Sequence, residues 1–225
     1  MESSVEARGT ARDLIEAAID LFGAEGYEAV STRALSARAG TNVSSIRYHF
    51  GGKEELYVAT LDHVVATVGG RLDGVLAIAG HVRELVGDDR ARQAQLVREL
   101  VPRVLDAFLT HPDVRRFLPL VLRELLIGGR HLDRIYEALP RRLHETLTEL
   151  VAWIGGEDPE SPRTIVRTHA LVGPLMVFHL ARPILLRRLG RDDLGAEELD
   201  LVREEVTRLF LRALDLEDAE HAPRS

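Results

Sequence analysis

Residues 31–56 read STRALSARAGTNVSSIRYHFGGKEEL, and the fold is decided there. Ser31 stands before a two-turn run, Thr32 to Ala39, and its hydroxyl can accept a bond from the free amides of that first turn. Gly40 supplies the left-handed residue that closes such a helix, and Thr41 or Asn42 then caps another, Val43 to Phe50. Gly51-Gly52 separates this segment from a long amphipathic helix that starts at Lys53 and runs to about Ala79. Upstream, Leu14, Ala17, Ala18, Leu21 and Phe22 mark one face of a helix over about Thr10 to Ala24, which ends at Gly26 as a left-handed cap. Three short helices and a long one follow from caps and spacing alone.

Downstream the apolar residues keep recurring at three and four, so the chain reads as all-α. Gly80, Gly87-Asp88-Asp89, Pro112, Gly128-Gly129, Gly155-Gly156 and Gly190 delimit five further helices, near residues 90–110, 113–127, 130–154, 162–189 and 196–216, giving about nine in all. The tail from Glu217 to Ser225 is polar and without periodicity, which predicts fraying.

The chain has 225 residues, 45% hydrophobic, with 29 basic and 36 acidic residues and a net charge of −7, so it does not coat nucleic acid by bulk charge. Any such contact has to be local. Between Glu28 and Glu54 no acidic residue occurs, while Arg33, Arg38, Arg47 and Lys53, the sequence's one lysine, all fall there. Ser31, Thr32, Ser44, Ser45, Tyr48 and His49 stand between them and can donate to phosphate or base edges. Two short helices joined by a tight turn with Gly form the helix-turn-helix pattern, whose second helix enters the major groove N-terminus first. The alternative is a three-helix unit with a solvated basic face.

The stretch from about Thr10 to Thr60 resembles the N-terminal domain of TetR-type transcriptional regulators. The resemblance is carried by Ala17-Ala18-Ile19-Asp20-Leu21-Phe22, Gly26-Tyr27, Ser31-Thr32, Ala39-Gly40 and, most specifically, Tyr48-His49-Phe50-Gly51-Gly52-Lys53-Glu54-Glu55-Leu56. Asn42-Val43 followed by Tyr-His-Phe-Gly-Gly-Lys is similar to a CecR-like subgroup. The resemblance implies a DNA-binding domain over 1–55 and a helical ligand-binding and dimerisation domain over 56–225. It implies base contacts from Arg33, Val43, Ser44, Ser45 and Arg47, and phosphate contacts from Thr32, Tyr48, His49 and Lys53. Two departures stand out: the family usually has a buried aliphatic residue where Thr41 stands, and often an aromatic one at Arg47. Val43, Ile46 and Phe50 are spaced three and four apart, so Val43 reads equally as core or as a thymine-methyl contact, whereas Ile46 and Phe50 read as structural. The resemblance further implies a homodimer joined through about Thr164 to Leu189 and Glu197 to Leu216, the second with the stripe Leu199, Val202, Val206, Leu209, Phe210 and Ala213.

Residues 165–189 are apolar nearly all round yet hold His169, His179, Pro174 and Pro183, and interior Pro bends a helix and often opens a cavity in a bundle. His169, Gly173 and Met176 share a stripe that, with Trp153, Phe108 and Phe117, borders a small-molecule pocket or else belongs to ordinary core. Arg123 and Glu124 read as pocket polar groups or as a surface pair. Other chemistry finds no support. Cys is absent, His144-Glu145 lacks the second His of a zinc helix because Thr148 stands there, and Gly128-Gly129-Arg130 lacks the strand and Lys-Ser/Thr of a phosphate loop and reads as a helix break. Asp88-Asp89 and Asp192-Asp193 read as caps. No catalytic residue, metal or cofactor is expected, and no uninterrupted run of about 18 apolar residues occurs, which predicts a soluble cytoplasmic protein. The expectation is therefore a homodimeric repressor released from a palindromic operator on duplex DNA by a small molecule. The alternatives are an activator, an architectural or protein-docking factor with the same reading head, and an enzyme in the C-terminal cavity.

Overall fold

The computed structural model describes residues 2–127, 131–138 and 140–217, the side chains of 2–8, 71, 72, 75, 76, 78–81 and 127 excepted. Every regular element among them is helical. The order is α1 (Glu2–Glu25), α2 (Thr32–Arg38), α3 (Val43–Phe50), α4 (Lys53–Val86), α5 (Arg90–Leu109), α6 (Pro112–Ile127), α7 (Leu132–Ala138), α8 (Pro140–Gly155), α9 (Pro162–Leu180), α10 (Arg182–Leu189) and α11 (Ala196–Ala213). The all-α architecture agrees with the sequence, but two of the expected helices are each two. Pro140 opens α8, where its missing N–H is one the first turn leaves unbonded anyway. The expected 162–189 helix breaks at Ala181, with Pro183 in the first turn of α10, and the chain bends there by 63°. The Gly128 to Arg130 break and residues 218–225 of the tail lie outside the described residues.

Packing divides the chain into two compact units, the first comprising Met1–Gly70 with Pro112–Arg141 and the second Arg71–His111 with Arg142–Ser225. In the first, Leu14, Ala18 and Phe22 of α1, Leu35 of α2, Ile46 of α3, Leu56 and Leu61 of α4 and Leu120 of α6 are all buried. Truncating a ring like that of Phe22 to Ala costs about 3–5 kcal/mol. The α6 helix is also tied to α1 by charge: Arg116 donates to the Asp20 carboxylate at 2.7 Å and to the Glu16 carbonyl at 2.9 Å.

In the second unit α5 is central, packed by α9 and α11, and Val97, Val101, Val104 and Phe108 of α5 are buried with Leu171 and Leu175 of α9 and Val206 and Phe210 of α11. Asp89 caps α5 by accepting from Ala91 N and Arg92 N, as its Gly-bounded position suggested. Arg90 then bonds the carbonyls of Ile154 at 2.9 Å and Asp215 at 2.7 Å, satisfying chain ends that helices leave open. No single helix among the described residues is long and apolar enough to cross a membrane.

Candidate nucleic-acid interface

The geometry of the reading head follows from its caps. Ser31 accepts from Ala34 N and starts α2, and Gly40, with φ of +64°, turns the chain after it. Asn42, not Thr41, caps α3 by accepting from Ser45 N at 3.0 Å. With that start fixed, helical spacing sends Ile46 inward, 2% exposed, and leaves Val43, Ser44, Arg47 and Tyr48 on one outer face. Val43 is 47% exposed, which resolves its two readings against the core. Tyr48 is 80% exposed and Phe50 half-buried.

Arg33 at the start of α2 and Arg47 on α3 are exposed, and neither has an acidic partner among the described residues. Arg38 differs, because it pairs with Asp20 at 2.9 Å and its charge is turned back onto α1. Burial raises the Asp20 carboxyl's affinity for a proton, but hydrogen bonds from Arg116 and Arg38 outweigh that and hold it below the ordinary range. The hydroxyls are less free than the cations. Ser44 donates to Asn42 Oδ1, and Ser45 lies 3.1 Å from the same atom and 2.8 Å from Thr41 Oγ1. Thr41 thus makes a hydrogen bond at the place where the resembled family usually has a buried aliphatic side chain. Thr32 and His49 are half-buried, and the Thr32 carbonyl accepts from Ser36 Oγ at 2.8 Å.

Lys53 opens α4 with its ammonium 4.2 Å from the centre of the Tyr27 ring, a cation–π contact that fixes it beside the helix N-terminus. Tyr27 in turn donates to Glu54 at 3.2 Å. Phe22, Tyr27 and Tyr57 form one aromatic cluster, with Phe22–Tyr57 centroids 4.8 Å apart edge to face and Tyr27–Tyr57 centroids 4.9 Å apart. Tyr57 donates to the buried Glu124 carboxylate, and burial first, then Glu124, push its phenol well above the usual range, so it remains a donor.

The residues named for a small-molecule pocket fall in both units. Phe117 belongs to the first unit, and Phe108, Trp153, His169 and Met176 to the second. Phe108 is buried core of α5, and Trp153 packs on Val82, Leu96 and Leu100. His169 is exposed, 5.6 Å from the His144 ring, and Met176 is half-buried. The face of α9 turned to α5 carries Leu171 and Leu175 instead, and the apolar slot there has a volume of only about 40 Å³. The sequence reading did single out Arg123 and Glu124, which line a cavity of about 420 Å³ in the first unit together with Tyr27, Glu54, Tyr57 and His131. The partners of Glu124 were missed because Tyr57 lies 67 residues away, and no local spacing signals such a pair.

Comparison with known proteins agrees with this geometry. Residues 14–60 match the model of bacterial regulatory proteins of the tetR family, and residues 93–214 match that of the C-terminal domain of the HTH-type transcriptional dual regulator CecR. The CecR dual regulator of Shigella flexneri is 30% identical over 91% of this chain and 91% of its own length. The transcriptional repressor NicS of Pseudomonas putida is 29% identical over 56% of this chain and 53% of its own length. Among solved structures, a TetR-like transcriptional regulator from Rhodococcus sp. RHA1 superposes with a TM-score of 0.59 at 19% identity, covering 92% of this chain and 96% of that one.

Proposed function

The chain belongs to the TetR family of transcriptional regulators and carries the CecR-type C-terminal domain, and from that premise we propose that it is a homodimeric repressor which a small molecule releases from a palindromic operator. The observation that carries this reading is the outer face of α2 and α3. There the free cations Arg33 and Arg47 stand with Val43, Ser44 and Tyr48, on an otherwise anionic chain. A guanidinium fork on guanine O6 and N7 discriminates by about 1–3 kcal/mol, so Arg33 and Arg47 are assigned base contacts, with Val43 against a thymine methyl. Ser44 and Ser45 reach bases only by exchanging their bonds to Asn42. Thr32, Tyr48, His49 and Lys53 take phosphates.

In this reading residues 1–55 hold DNA, and residues 56–225 pair the subunits and answer the ligand. The pairing surface is supported by apolar side chains left outside the second unit's core, among them Val166 of α9, Ile184 of α10, 68% exposed, and Leu201 and Leu209 of α11, Leu201 being 59% exposed. Val202, Val206 and Phe210, by contrast, are buried within their own chain. Two subunits present two α3 helices to half-sites one helical turn or a multiple apart. The ligand acts by binding better to a dimer whose reading heads are wrongly spaced. The name of the Shigella relative, a dual regulator, favours a second reading in which the same dimer activates at some operators.

The test is capture of genomic fragments by the purified chain, with sizing of the complex. Two chains per fragment and an inverted repeat shared by the captured sequences are expected. A chain that stays single and captures nothing overturns the reading.

A further inference from the structure

The 420 Å³ cavity of the first unit has walls unlike those of a lipid or anion site. Four carboxylates, Glu25, Glu28, Glu54 and Glu124, line it against the guanidinium of Arg123 and the imidazole of His131, whose Nε2 lies 3.8 Å from Glu54 Oε1. Glu124 is 8% exposed, and while one of its oxygens accepts from Tyr57, Oε2 is buried and meets no hydrogen-bond partner among the described residues. A buried carboxylate oxygen left unbonded is costly, and buried polar atoms are almost always paired. Tyr27 and Tyr57 add two aromatic rings, inclined at 58°. Lys53 lying over Tyr27 shows that this ring already attracts a cation.

From these walls we infer that the cavity binds a small organic cation bearing N–H donors, a protonated amine, amidine or guanidine. Glu124 Oε2 accepts its N–H, Glu54 stands by as second counter-charge, and the tyrosine rings hold its flank. An anion meets four carboxylates, and a neutral apolar guest leaves Oε2 unbonded. The volume suits a ligand of ordinary metabolite size.

The same geometry couples the site to DNA. Lys53, assigned a phosphate, is held by Tyr27, and Tyr27 by Glu54, so a second cation at this wall competes for both and repels the ammonium. Cation and DNA therefore oppose each other, and by linkage each weakens the other by the same factor. This part rests on the reading of the chain as a ligand-released regulator. Cation binding itself does not.

The experiment is calorimetric titration of the full chain, without DNA, with benzamidine, which is a cation at neutral pH, with agmatine, and with benzamide, the neutral isostere of benzamidine. The two cations are expected to bind at least about tenfold more tightly than benzamide, because a charge-assisted hydrogen bond is at stake. Glu124→Gln, which keeps an acceptor for Tyr57, removes about tenfold or more of that affinity, and Glu54→Gln, at a less buried position, several-fold. Absence of binding by both cations, equal binding of benzamide, or no response to either substitution overturns the assignment. With the chain on a captured operator fragment, the cation that binds is expected to weaken the DNA complex, and an unchanged complex overturns the coupling. Failure of the ligand-free chain to bind any DNA counts against the regulator reading alone, since the calorimetry contains no DNA.

Discussion

Substituting Gly26 by Ala tests the joint between the end of α1 and α6. Gly26 sits at φ of +85°, donates to the Phe22 carbonyl at 2.9 Å, and ends α1. A left-handed residue with a Cβ costs about 1–2 kcal/mol. The new methyl would also lie 2.7 Å from Nη1 of Arg123, so that side chain must move, and its bond to the Ala24 carbonyl, 3.2 Å long, is lost. Arg123 is half-exposed and water takes over part of the bond, leaving a cost of about 0.5–1 kcal/mol. The expected total is about 1.5–3 kcal/mol. In a chain of this length it lowers the melting midpoint by about 3–12 °C. Urea unfolding followed by circular dichroism measures it, and a double-mutant cycle divides it. In an Arg123→Ala background the Gly26→Ala cost should fall to the backbone part, a coupling of about 0.5–1 kcal/mol. A neutral Gly26→Ala, or the same cost in both backgrounds, refutes the reasoning.

Asp20→Asn should destabilise by about 1 kcal/mol at neutral pH. Because the folded carboxyl holds its proton less tightly than the unfolded one, the wild-type advantage is complete above about pH 4 and fades as pH falls through the folded value, so the two unfolding curves converge in acid. Burial, then the neighbouring His169, hold His144 below the usual imidazole range, and a proton NMR titration of His169→Ala should show His144 titrating higher than in the wild type. If His144 is unmoved, the pair is not electrostatically coupled. Ile184→Asp, at a side chain 68% exposed within its own chain, should leave circular dichroism unchanged and shift sedimentation from dimer to monomer. A dimer that persists moves the interface elsewhere.

The reading head was legible because its chemistry is local. Ser31, Asn42, Gly26 and Gly40 act within three or four residues of themselves, and the inward position of Ile46 follows from the cap that sets the α3 register. Two helix breaks were not legible in the same way, since Pro140 and Pro183 fit equally as kinks inside a helix or as first-turn residues of a new one. In α9 apolar residues lie nearly all round, so periodicity could not tell the stripe of His169, Gly173 and Met176 from that of Thr164, Thr168, Leu171 and Leu175, which is the buried one. The cavity at Glu124 joins α1, α4, α6 and the residue before α7, and only the folded chain brings these together.

The central claim is that the acid-free stretch around α2 and α3 holds duplex DNA, with Arg47 on bases and Lys53 on phosphate. Fluorescence anisotropy on an operator and on variants of it, at about 50 and 200 mM salt, measures it most directly for the wild type, Arg47→Ala and Lys53→Ala. The account predicts that Arg47→Ala flattens the preference among operator variants by about 1–3 kcal/mol. Lys53→Ala should weaken every sequence alike and lower the salt slope by about one unit. Identical behaviour of the two variants, or wild-type binding indifferent to salt, would contradict it.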